Sequence, residues 1–121
     1  MRNPKILVVE DEDLIRLTLA EALADAGFDV VEAGSGDEAL LLLQAQNGFR
    51  LLLTDIHLPG LLDGLALAEE VRRSEPAMPV IYMTGRPDCA VLGPRDGVDR
   101  LIAKPYRLAE VCAAARRMTG G

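Results

Sequence analysis

The chain reads as an α/β protein, a (βα)5 doubly wound domain around one five-stranded parallel sheet. Short continuous apolar runs such as Lys5-Ile6-Leu7-Val8-Val9 suit strands buried on both faces. Segments of helical apolar period separate these runs. Five strands alternating with helices need crossover connections, which force a parallel sheet with helices on both faces.

The first strand, Lys5 to Val9, ends at Glu10-Asp11-Glu12-Asp13. Asp13 fits the N-cap of the helix that follows, whose apolar face is Leu14, Leu17, Ala20, Ala22, Leu23 and Ala26. Gly27 closes that helix, and Phe28 to Glu32 is the second strand. Ser35 caps the second helix, with Glu38 as its capping-box partner. Ala39 to Leu43 is apolar nearly all round, which leaves the buried face of this helix open, and Asn47-Gly48 stops it. Phe49 to Thr54 is the third strand. A helix beginning near Asp63 runs through Leu65, Leu67, Ala68 and Val71, and Pro76 ends the loop after it. Pro79 to Thr84 is the fourth strand. Asp88 to Leu92 offers a turn or two of helix before Gly93-Pro94 interrupts, so the fourth helix is expected to be short or irregular. Val98 to Ala103 is the fifth strand, ended by Lys104-Pro105. The last helix spans about Arg107 to Met118, with Leu108, Val111, Cys112 and Ala115 on its buried side.

At 121 residues the chain has room for one domain. Half of it is apolar, with two Phe, two Tyr and no Trp, so the core is aliphatic. A formal charge of −6, from 13 Lys and Arg against 19 Asp and Glu, argues against a binder of phosphate backbones. Cys89 and Cys112 lack metal-ligand or CxxC spacing, and Cys112 reads as a small core hydrophobe. Without a signal peptide or a membrane-length apolar run, the expected setting is cytoplasmic, with reduced thiols and no membrane partner.

Chemistry gathers where the strands end. In an open α/β sheet, binding groups collect beyond the carboxyl ends of the strands. There the chain places Glu10 and Asp11 after strand one, Asp55 after strand three, Thr84 after strand four and Lys104 after strand five. A lone Asp55 could equally make an Asx turn; its company in the other strands argues for more. Crowded carboxylates raise one another's pKa unless a cation lies between them, and a hard, oxygen-preferring ion such as Mg²⁺ answers that need. One carboxylate oxygen is then available as a nucleophile, with Thr84 and Lys104 to bind the oxygens of an incoming phosphoryl group.

Val8-Val9-Glu10-Asp11-Glu12, Thr54-Asp55-Ile56-His57-Leu58-Pro59-Gly60, Met83-Thr84-Gly85 and Lys104-Pro105-Tyr106 together resemble the signature segments of bacterial response-regulator receiver domains, in that family's order and near its spacing. The resemblance covers essentially all of residues 1–121. It implies the flavodoxin-like strand order 2-1-3-4-5 and phosphate transfer from a histidine kinase or phosphotransfer protein to Asp55. It also implies Mg²⁺ bound directly by Asp11, through water by Glu10, and by Asp55 and the backbone carbonyl of His57. Thr84 becomes the switch hydroxyl, Lys104 the phosphate-contacting cation, and the Lys104-Pro105 bond is expected to be cis.

Three features depart from the family pattern. Leu101 stands where the family usually has the Tyr or Phe of its switch. The region from Arg86 to Gly97 looks a couple of residues short, which argues against the common dimer and leaves a monomer or weak dimer. The loop Gly60-Leu61-Leu62-Asp63-Gly64 looks one residue longer than usual, which resembles a variant of receivers attached to hybrid histidine kinases and of some stand-alone receivers. His57 and Arg86, two residues beyond Asp55 and Thr84, are positioned to influence phosphate lifetime, although a lone histidine reads equally as a solvent-facing loop residue. The leading reading is a stand-alone single-domain response regulator, Met1 lying close to the first strand and the chain ending just after the last helix. Its output is a downstream protein target, without direct contact to nucleic acid. The alternatives are a phosphate shuttle or sink without conformational output, favoured slightly by Leu101, and a phosphorylation-independent binding module.

Overall fold

The computed structural model describes residues 3–85 and 99–120. Its strands are β1 (Lys5–Val9), β2 (Asp29–Ala33), β3 (Phe49–Asp55), β4 (Val80–Thr84) and β5 (Asp99–Ala103). Its helices among these residues are α1 (Asp13–Asp25), α2 (Gly36–Ala45), α3 (Gly64–Ser74) and α4 (Leu108–Met118). The strands pair in parallel in the order β2-β1-β3-β4-β5, as the resemblance implies. The expected short helix at Asp88 to Leu92, with Arg86, Cys89 and Val98, lies outside the described residues.

Side chains alternate across each strand, so the continuous apolar runs feed two separate cores. On one face Ile6, Val8, Leu51, Leu53, Ile81, Met83 and Ile102 pack against Leu19 and Leu23 of α1 and Val111, Ala114 and Ala115 of α4. On the other, Leu7, Val9, Leu52, Val80 and Tyr82 meet Ala39 of α2 and Leu67, Ala68 and Val71 of α3. With both faces apolar, hydrophobic pattern alone sets register weakly. The β1–β3 ladder shifts once, where Lys5 pairs with Phe49 and Ile6 with Leu51. Arg50 is the extra residue, and its guanidinium donates to the Thr119 carbonyl at 2.8 Å, fastening the end of α4 to the start of β3.

Several local expectations are corrected. Leu14 and Leu17 of α1 are 77% and 48% exposed, whereas Ala20 and Leu23 of the expected face are buried together with Leu19. Two leucine stripes run along α1, and only packing against the sheet chooses between them. Glu12, not Asp13, occupies the N-cap and makes no side-chain cap bond; Asp13 is the first helical residue and pairs with Arg16. Leu108 is exposed at the start of α4. β2 runs one residue later than expected.

At α2 the expected cap is present: the Ser35 hydroxyl accepts from the Glu38 N–H at 3.1 Å. Glu38 reaches back to the Gly34 N–H, one residue before the position a capping box uses. The open face of α2 resolves to Ala39, with Leu41 turned outward. In α3, Asp63 caps by accepting from the Ala66 N–H at 2.8 Å.

Candidate functional site

Parallel strands all end at the same edge of the sheet, so residues far apart in sequence meet there. β1 delivers Glu10, which is 1% exposed, followed by the exposed Asp11. β3 ends on buried Asp55 and β4 on fully buried Thr84. Beyond β5, the Lys104 N–H donates to the Thr84 carbonyl at 2.8 Å, and the Lys104-Pro105 bond is cis, as expected.

Ligand oxygens of Glu10, Asp11 and Asp55 lie within 4.8 Å of one another. The Lys104 ammonium donates to Asp55 Oδ2 at 2.7 Å and to Glu10 Oε1 at 3.4 Å. The other Asp55 oxygen, Oδ1, accepts from the His57 N–H at 3.2 Å. Three carboxylates against one ammonium leave an excess of negative charge, and every donor is oxygen. That set fits a hard divalent cation.

Burial pushes the Glu10 carboxyl above its usual range, with Asp11 and Asp55 acting in the same direction. The Glu12 N–H, which donates to Glu10 Oε2 at 3.1 Å, and the charge of Lys104 oppose the rise. For Lys104, burial alone would favour the neutral amine. The hydrogen bond and charge of Asp55, with those of Glu10, outweigh it, and the ammonium is held more firmly than usual. Tyr106, half-buried nearby, is pushed up by burial against the opposing charge of Lys104.

Glu10, Asp11, Asp55 and Lys104 thus come together, with Thr84 at the end of the neighbouring strand. The His57 side chain is exposed, and the residue joins the site through its backbone. Leu101 is half-buried, paired in register with Tyr82 and packed into the core beneath α3. Two neighbours of the site carry no sequence signal of their own. Gly64 packs so closely on the strand that a Cβ there would overlap the Asp55 carbonyl. Arg16 donates to the Glu10 carbonyl at 2.9 Å.

Two contacts fix the loop between β3 and α3. Leu62 lies against Gly36 at the start of α2, where a Cβ would overlap the Leu62 carbonyl. The Gly64 N–H donates to the Ile56 carbonyl at 2.9 Å. Leu61, just before Leu62, is 92% exposed. No helix among the described residues is long and apolar enough to cross a membrane.

Known proteins share this fold. A family model described as the response regulator receiver domain matches residues 6–116. The chain is 37% identical over 120 residues to the aerobic respiration control protein ArcA of Escherichia coli, covering 98% of the chain and 49% of ArcA. It is 35% identical over 119 residues to the DNA-binding transcriptional regulator NtrC of Salmonella typhimurium, covering 97% of the chain and 25% of NtrC. The chain therefore spans between a quarter and a half of the length of these relatives. A receiver domain structure from Clostridium thermocellum superposes with a TM-score of 0.87 at 28% identity, over 97% of this chain and 94% of that one. The response regulator TrrA of Thermotoga maritima, solved in complex with Mg(2+)-BeF, gives 0.83 at 29% identity, over 95% and 98%. Sequence, fold and the acidic edge of the sheet agree: the chain belongs to the response regulator receiver domain family, the phosphoacceptor domain of two-component systems.

Proposed function

We propose that Asp55 is the phosphoacceptor of this receiver domain, residues 1–121, and that a phosphohistidine on a histidine kinase or phosphotransfer protein is the donor. The observation that carries the reading is the 2.7 Å contact of Lys104 with Asp55, inside a cluster of three carboxylates. An oxygen of Asp55 attacks phosphorus, the P–N bond to the donor imidazole breaks, and its electron pair stays on the ring nitrogen. The product is an acyl phosphate, which water hydrolyses to phosphate and the original carboxylate.

Asp11, Asp55, Glu10 and the backbone carbonyl of His57 would hold Mg²⁺; the all-oxygen donor set and the Mg(2+)-BeF complex of TrrA support the reading. Bound there, it would neutralise negative charge on the acceptor and the phosphoryl oxygens. Lys104 is already within reach of any group on Asp55 Oδ2 and supplies a positive charge to the phosphoryl oxygens. The Thr84 hydroxyl binds another of them. The added phosphate brings about −1.5 to −2 charge and three acceptor oxygens, and pulling Thr84 toward it shifts the population of β4–β5 conformations, with Leu101 as the moving side chain. Output passes to a downstream protein in the cytoplasm, with no direct nucleic-acid contact by this segment.

Incubation with Mg²⁺ and acetyl phosphate, followed by intact-mass measurement, tests the site. The wild-type chain is expected to gain one phosphoryl group and Asp55→Asn none. Undiminished phosphorylation of the Asp55→Asn variant would sink the assignment.

A further inference from the structure

Arg16 makes three contacts that the phosphoacceptor reading does not use. Nη1 donates to the Glu10 carbonyl at 2.9 Å, Nη2 pairs with Asp13 at 2.9 Å and Nε with Glu32 at 3.3 Å. The guanidinium thereby joins the first turn of α1 and the end of β2 to the peptide between Glu10 and Asp11. Gly34 leaves room for it, since a Cβ at that position would stand 3.2 Å from Nη1. The Glu10 N–H is fixed as well, donating to the Ala33 carbonyl at 3.1 Å.

The peptide held in this way is the one that carries Asp11. Glu10 is anchored by burial at the end of β1, but Asp11 is exposed, and residues 10 to 13 are all acidic and repel one another. A peptide unit is planar, so fixing the Glu10 carbonyl fixes the direction in which the chain leaves β1 and the place of the Asp11 Cα. We propose that Arg16 is a positioning residue for the cation site, holding the 10–13 turn so that the Asp11 carboxylate faces those of Glu10 and Asp55. The proposal rests on the reading of these three carboxylates as a Mg²⁺ site.

Charge alone argues for the opposite sign. A guanidinium near a cation site repels the cation, and its removal would tighten Mg²⁺ binding. Arg16 is paired with both Asp13 and Glu32, however, which offsets its charge and leaves the geometric effect dominant. Lysine keeps the charge but cannot reproduce a planar fork with three directed contacts. Arg16→Lys therefore separates position from charge.

The test is a Mg²⁺ titration of the full chain followed by amide NMR shifts, with metal-free amide exchange at Asp11 and Glu12 as a second readout. Arg16→Met and Arg16→Lys are both expected to raise the Mg²⁺ midpoint about tenfold, the size usual for partners that orient metal ligands. Saturating Mg²⁺ restores the maximal phosphorylation rate of both variants, and exchange at Asp11 and Glu12 quickens without metal. Gly34→Ala, a milder change that crowds the guanidinium, shifts the midpoint in the same direction should the Arg16 variants fold poorly. An unchanged midpoint in folded variants overturns the proposal, even where thermal stability falls, because Arg16 is then a structural staple alone. A wild-type midpoint in Arg16→Lys overturns it, and a lowered midpoint in Arg16→Met marks a charge effect in its place. Failure of the wild-type chain itself to bind Mg²⁺ removes the underlying site reading, an outcome visible before any variant is made.

Discussion

Glu10 shows how this site trades stability for readiness to bind a cation. It is almost completely buried, and its neighbours include two further carboxylates. Its carboxyl ionises at higher pH in the folded chain than its ordinary 4.5. Between those two values the folded chain holds a proton that the unfolded chain has lost, so metal-free stability falls as pH rises through that window. Glu10→Gln is expected to flatten this dependence, as read from urea unfolding across the weakly acidic range; an unchanged slope would assign it to another group. Lys104 acts in the opposite sense by giving Asp55 and Glu10 a counter-charge. Lys104→Ala is expected to slow phosphorylation by about a hundredfold, the scale seen when one donor to a developing anion is removed. Mg²⁺ affinity should change far less, since an ammonium is not a ligand. Phosphorylation kinetics and a Mg²⁺ titration of the same variant separate the two effects.

Elements hold these side chains in place through contacts that local sequence does not announce. Gly64 begins α3 directly over the Asp55 carbonyl, so Gly64→Ala forces either α3 or the end of β3 to move. Overpacking of this kind costs about 1–3 kcal/mol, and here it should also slow phosphorylation, because the displaced backbone carries the acceptor. On the far side of α3, Arg72 bonds the Met78 carbonyl at 2.9 Å and pairs with Asp99 at the start of β5. The Asp99 side chain is 4% exposed, so Asp99→Ala takes the counter-charge from a half-buried guanidinium and is expected to lower stability by about 3 kcal/mol in urea unfolding. α1 makes the complementary point. Leu14→Lys should be neutral within about 0.5 kcal/mol, whereas Leu19→Ala should cost about 2–5 kcal/mol, although both positions are leucines on one helix.

At the scale of the whole molecule, one sheet with two apolar faces separates the packing problem from the chemical one. The two cores fill the space between sheet and helices, while the carboxyl edge of the sheet carries the charges. Any ligand that binds only the folded chain stabilises it by mass action. Mg²⁺ at a hundred times its dissociation constant should add about 2.7 kcal/mol. Asp11→Asn should lose most of that gain, and thermal unfolding with and without the ion measures both. An equal gain in the variant would place the cation elsewhere.

Much of this was legible without coordinates. Five apolar runs of strand length, separated by helical segments, determined the α/β class, because a chain of this pattern has few other ways to bury its apolar surface. The ends of those runs pointed to the residues at one edge, since parallel strands all finish there; Glu10, Asp11, Asp55 and Lys104 come together at that edge, with Thr84 at the end of β4. Tertiary structure decided what periodicity leaves degenerate. It chose the buried stripe of α1 over the one carrying Leu14 and Leu17, turned Leu108 outward, and moved the start of α1 from an Asp13 cap to an uncapped Glu12. It also brought Arg16 onto the Glu10 carbonyl and Gly64 onto Asp55, contacts between elements whose spacing along the chain carries no mark of them. Periodicity reports the environment of a residue averaged over its own helix or strand. Which neighbour it meets is set only when the elements pack.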